Sequence, residues 1–79
     1  MRIDKYLKVS RLIKRRTVAS DACAAGRVKV NDREVKASAV VKVDDVIEIT
    51  FGNRIVKVRV TMIKDTTKKD DAKEMFEYL

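Results

Sequence analysis

The spacing of apolar residues changes character once along this chain, at Gly26, and that change limits the folds open to it. Before Gly26 the apolar positions recur at helical spacing; from Arg27 onward they alternate with polar ones. A helical period followed by a period of two describes helices that precede strands, not helices interleaved with them. Alternating strands joined by short polar turns pair antiparallel and bury one face. The expected class is therefore α+β: two N-terminal helices packed on a small antiparallel sheet. A short C-terminal helix completes it. Seventy-nine residues without proline or a glycine-rich linker make one domain with a thin core, burying only about 60 to 65% of the unfolded surface.

Residues 3 to about 13 read as the first helix. Ile3, Tyr6, Leu7 and Ser10 fall on one face, with Arg2, Lys5 and Lys8 opposite. Asp4 lies in the first turn, where a carboxylate complements the helix dipole, and four residues before Lys8, a favourable pair. Residues 15 to 25 read as the second helix. Its small residues, with Val18, Ala22 and Ala25 in one row and Ala19 and Cys23 beside it, allow close approach to a partner. Gly26 closes this helix at the position where positive φ is common. Cys23, lone and without any histidine in the chain, reads as packing: it has neither a base nor co-ligands.

Arg27 to Val30 begins the sheet. Asn31-Asp32 is a turn and Glu34 to Lys36 a short returning strand. Asp44-Asp45 is a second turn, and Val46 to Phe51 and Arg54 to Val60 form a hairpin through Gly52-Asn53. Arg54, Lys57 and Arg59 are read as charges that keep a strand edge from pairing, in preference to RNA contacts. Residues 64–69 form a polar connection. Asp70-Asp71 begin the C-terminal helix, with Met75, Phe76 and Leu79 on its apolar side, packed on the sheet in preference to docked on a partner.

Charge is distributed unevenly over this plan. The first sixteen residues carry Arg2, Lys5, Lys8, Arg11, Lys14, Arg15 and Arg16 against the single acid Asp4, whereas the rest of the chain is nearly balanced. Soluble surfaces normally intersperse the two signs, and a concentrated basic face fits a polyanion, most commonly nucleic acid. Lys14, Arg15 and Arg16 fall at the start of the second helix, where cations oppose the dipole. Free N–H groups at that same place bind phosphate, so the three cations suggest a phosphate clamp. On this reading Arg16 contributes nothing to folding, or slightly harms it.

The residues also carry a resemblance. M-R-I-D-K-Y-L, R-L-I-K-R-R-T, A-A-G-R-V-x-V-N and V-K-A-S, over about residues 1 to 51, resemble the ribosomal-protein-S-four type of RNA-binding domain. The resemblance implies two helices on a small antiparallel sheet, with the helical face on structured RNA. It carries the family's basic positions to Arg2, Lys5, Arg11, Lys14, Arg15, Arg16 and Arg27, with Asn31, Lys36 and Ser38 also matching. With Lys8, these are the candidate RNA-binding residues. The tail K-D-T-T-K-K-x-x-A-x-x-M-F extends the resemblance to small ribosome-associated quality-control factors, relatives of a heat-shock ribosome-binding protein, and makes residues 52–79 a C-terminal extension. Those factors imply the large-subunit rRNA and peptidyl-tRNA as partners, together with a tRNA-recruiting protein. They also imply support for alanine tailing of stalled chains by a monomer in the cytoplasm. The alternative is a general heat-shock or assembly factor for structured rRNA. Two turns depart from the family: Asp32 and Asp44 stand where glycine is frequent, which bears on turn geometry more than on RNA.

Other classes fit less well. An enzyme would want a histidine, a phosphate loop or carboxylates paired in an apolar pocket, so no catalytic residue, metal or cofactor is expected. An anionic membrane surface would want a large apolar face beside the basic one. The single cysteine fits a reducing compartment, and neither a spanning segment nor a signal peptide is visible.

Overall fold

A computed structural model of the chain describes residues 1–65 and 71–79. Helix α1 spans Ile3–Val9, and its buried face is the expected one: Ile3, Tyr6 and Leu7 are fully buried and Ser10, its C-cap, nearly so. Each of the large aliphatic side chains contributes about 1.5 to 3 kcal/mol by leaving water. The helix ends four residues before the periodicity does. Arg11 takes φ 63; its N–H bonds Lys8 O at 3.1 Å and the Ile13 N–H bonds Leu7 O at 3.1 Å. The reversal lets Ile13 enter the core, 5% exposed. No glycine or proline marks it, so the arginine itself bears the left-handed conformation, at a cost of about 1 to 2 kcal/mol.

Helix α2 spans Arg16–Ala24. Its C-terminus closes as expected: the N–H of Gly26 bonds Cys23 O and that of Arg27 bonds Ala22 O, with Gly26 at φ 73. A Cβ there would stand 2.7 Å from Glu34 Oε1, so glycine answers both the conformation and the space. The row that packs is Ala19 with Cys23, both buried, whereas Val18 is half-exposed.

Strands β1 (Val28–Val30), β2 (Arg33–Glu34), β3 (Val46–Phe51), β4 (Arg54–Val60) and β5 (Phe76–Tyr78) form one antiparallel sheet in the order β2-β1-β3-β4-β5. The β1–β2 turn places both Asn31 and Asp32 at positive φ, 51 and 68, the two-residue turn whose twist suits a hairpin. Asp44 is also left-handed, φ 78. Both departures from glycine thus fall where glycine's freedom is used. Register assigns the faces. Ile47↔Val58, Ile49↔Val56 and Phe51↔Arg54 are cross-strand partners, as are Val58↔Tyr78 and Val60↔Phe76, and these residues look toward the helices. Lys29, Glu48, Lys57, Arg59 and Glu77 look away.

Two expectations change here. Strand β4 is not an edge where β5 pairs with it, over 58–60, and the Leu79 N–H bonds Lys57 O; Lys57 and Arg59 therefore guard no edge, whereas Arg54 lies on the opposite, inner face in the half of β4 that β5 does not cover. The expected C-terminal helix is one 3-10 turn at Asp71–Glu74, and Phe76 continues as strand. A helix over 70–79 would forfeit the β4 ladder. Residues 66–70 of the expected polar connection and helix start lie outside the described residues. The C-terminal segment does pack: Ala72 and Met75 are buried, and the buried Tyr6 hydroxyl donates to Met75 O at 2.7 Å. Burial pushes the Tyr6 phenol well above its ordinary range.

Candidate nucleic-acid interface

Two of the basic residues of the first sixteen, Arg2 and Arg16, are arranged around Asp4. This carboxylate is not paired with Lys8 as expected. Its side chain is 5% exposed, and it accepts from Arg2 Nη2 at 3.1 Å and from Arg16 Nη2 at 3.4 Å. The Lys5 N–H adds a bond of 2.7 Å. Arg2 and Arg16, about half-exposed, are thereby held by a shared buried anion. Each guanidinium has five N–H donors, so each keeps a fork toward solvent. The expectation that Arg16 is idle in folding is corrected: it caps a buried charge.

The start of α1 is closed to ligands. Ile3 N–H bonds Ala39 O at 2.7 Å and Asp4 N–H bonds Ala37 O at 3.3 Å, while Val41 N–H reaches Met1 O. The segment that closes it carries Lys36 and Ser38, both exposed, and so brings these distant positions beside Arg2 and Asp4. The start of α2 differs. Arg15 is its N-cap without a side-chain cap, and the first N–H that reaches back within the helix is that of Ala19, to Arg15 O. The preceding N–H groups have no helical acceptor, and Lys14, Arg15 and Arg16, all exposed, surround them.

Not every candidate joins this cluster. Lys8 is exposed on the outer row of α1, and Arg11 occupies the turn between the helices. Lys5 Nζ stands 3.5 Å from Asp65 Oδ1, a solvent-exposed pair of small energy. Arg27 follows the far end of α2, about 15 Å from Arg16 at 1.5 Å per residue. Asn31 is a fastener in the sheet: its Nδ2 donates to Asp45 Oδ1 at 3.1 Å and its Oδ1 accepts from Val46 N–H at 3.0 Å. Cys23 is buried in the core, its thiol pushed up first by burial and then by the Asp4 charge, which suppresses the thiolate. Sequence reasoning missed the organising part of Asp4. The available signal was that it is the sole acid among seven bases.

Among the described residues no helix is long and apolar enough to cross a membrane. The S4 domain family matches residues 1–47. Over all 79 residues the chain is 54% identical to the RQC P-site tRNA stabilizing factor of Streptococcus pneumoniae, covering 90% of that protein. It is 49% identical to the factor of the same name from Bacillus subtilis, covering 92% of it. The trimeric Heat Shock Protein 15 of Vibrio cholerae has the same fold, with a TM-score of 0.93 at 24% identity over the whole of this chain and 81% of that one.

Proposed function

The chain belongs to the S4 domain family, in the group of the RQC P-site tRNA stabilizing factors, and from that premise we propose that it is a non-catalytic RNA-binding protein of ribosome-associated quality control. It binds large ribosomal subunits that carry peptidyl-tRNA and contacts both rRNA and tRNA. In doing so it supports alanine tailing of the stalled chain, beside a protein that recruits tRNA to the same particle. It acts in the cytoplasm as a monomer.

The observation that carries this reading is the pair of guanidiniums fixed on buried Asp4 beside the uncapped start of α2. A phosphate placed there meets backbone N–H groups and the favourable end of the helix dipole. Arg16 adds a two-pronged hydrogen-bonding fork. Because Asp4 already holds Arg2 and Arg16, less side-chain freedom is lost when the anion arrives. Lys14, Arg15, Lys36 and Ser38 extend the same surface along the backbone of a structured RNA, and Lys8 and Arg27 form separate contacts.

The test is co-sedimentation with purified large subunits, with and without peptidyl-tRNA. Preferred recovery with the tRNA-bearing subunits supports the proposal. Equal recovery on empty subunits would favour a general factor for structured rRNA, and recovery on neither would end the ribosomal reading. Sedimentation of the free protein decides between the monomer and a trimer like that of the Vibrio protein.

A further inference from the structure

Three of the chain's four Phe and Tyr rings, Phe51, Phe76 and Tyr78, line one open cleft of about 260 Å³; the fourth, Tyr6, is buried. The cleft exists because α1 stops at Val9. The helices cover Ile47, Ile49, Val58 and Val60 on the inner face of the sheet and leave the end of that face bare. Along β4 the inner positions read Val60, Val58, Val56 and then Arg54, so a guanidinium stands where the apolar pattern would place another valine. Arg11 faces it from the turn between the helices, in a left-handed conformation that glycine would adopt more easily. Strained backbone at non-glycine residues is enriched at ligand-binding sites. Neither Arg11 nor Arg54 has a salt-bridge partner among the described residues, and no acid lines the cleft. Phe76 and Tyr78 meet edge to face, centroids 5.3 Å apart, which props up the Tyr78 ring, 71% exposed.

We infer that this cleft binds an unpaired nucleobase of RNA, stacked on Tyr78 and Phe51 with its flanking phosphates on Arg11 and Arg54. Exposed aromatic faces and arginines are the combination that holds single-stranded RNA, because every base offers a π face and every linkage a charge. An apolar peptide would fit the rings but would bury two guanidiniums without an anion. Arg11, in the turn that joins the two helices, also lines the cleft, so the inference puts a base splayed from an RNA on the helical face within the same docking event. The inference rests on the RNA-binding reading above and adds a contact to it.

The test is amide chemical-shift mapping of the whole chain with single-stranded oligoadenylate, and in parallel with an RNA stem-loop. Oligoadenylate shifts concentrated at 51–56 and 76–78 are expected. Tyr78→Ala, with unchanged circular dichroism, should weaken that binding about fivefold to a hundredfold, the loss of one base–aromatic stack. Tyr78→Phe, which keeps the ring, should restore it. Should Tyr78→Ala fail to fold, Arg54→Ala, at an exposed position, is expected to weaken binding in the same direction. Stem-loop shifts on α1 and α2 with no oligoadenylate response in the cleft would overturn the inference and leave the RNA-binding reading standing. No response to either RNA would overturn both. Shifts in the cleft caused by an apolar peptide and not by oligoadenylate would overturn the inference in favour of a protein partner.

Discussion

The outer face of the sheet and the helical pair both carry cations, yet the first is balanced in charge and the second is not. On the sheet, register sets each base against an acid. Glu48 lies between Lys29 and Lys57 across the strands, with Lys29 Nζ 4.0 Å away. Arg59 lies opposite Glu77, Nε to Oε1 2.6 Å, and also reaches Asp44. In the first sixteen residues seven bases meet one acid, the buried Asp4, which holds Arg2 and Arg16 and leaves the others without a match inside that stretch. Cross-strand pairs of opposite charge stabilise a sheet; unmatched cations stabilise nothing until an anion arrives. The density of charge therefore marks an interface less well than the lack of a partner at the right register.

Arg16 tests the comparison most severely. Arg16→Ala should weaken ribosome binding by about 1 to 3 kcal/mol, the loss of a charged hydrogen bond. Its melting temperature should fall only slightly, because Asp4 keeps Arg2 and a half-exposed ion pair is worth less than about 1 kcal/mol. Arg16→Lys should recover part of the binding, since lysine lacks the fork. Normal binding with a normal melting curve would mean that no phosphate is held there.

Salt dependence sharpens the contrast. With about five phosphate contacts from the helical face, log affinity should fall against log salt with a slope of roughly −3.5 to −4.5. Removing one helical cation should lower the magnitude of the slope by about 0.7 to 0.9, whereas Lys57→Ala should leave it alone. Equal slopes for both variants would erase the distinction between the faces.

A smaller effect separates folding from binding. Asp32 holds φ 68 in the β1–β2 turn, and Asp32→Gly should raise stability by up to about 1 kcal/mol, the relief of that conformation less glycine's greater unfolded freedom. Ribosome binding should not change; a change would draw this turn into the interface.

Lys57→Ala should have the smallest effect of all, within about 0.5 kcal/mol on binding. The expectation rests on its place opposite Glu48 and not on edge protection. Binding losses equal to those of Arg16→Ala would break the comparison outright.

Reading the sequence recovered α2 and its glycine stop, the β3–β4 hairpin, the buried face of α1 and the basic stretch. It overran α1, because Leu12 and Ile13 continue the apolar pattern through a turn that no glycine or proline announces. It took Phe76-Glu77-Tyr78 for part of a helix, because three residues carry too little periodicity to tell strand from helix. It grouped Arg54 with Lys57 and Arg59, although an odd separation along a strand puts residues on opposite faces.

What the sequence determined by itself, then, was whatever depends on neighbours along the chain: the switch of period at Gly26, the turn residues, and the excess of positive charge before Thr17. Only the tertiary structure decided that Asp4 joins Arg2 to Arg16, that β5 takes the edge from β4, and that three aromatic rings meet two arginines in one cleft. The first depends on how α1 packs against α2, and the other two on the register of segments distant in sequence. The packing of Tyr6 against Met75, 69 residues away, and the ladders between strands set that register.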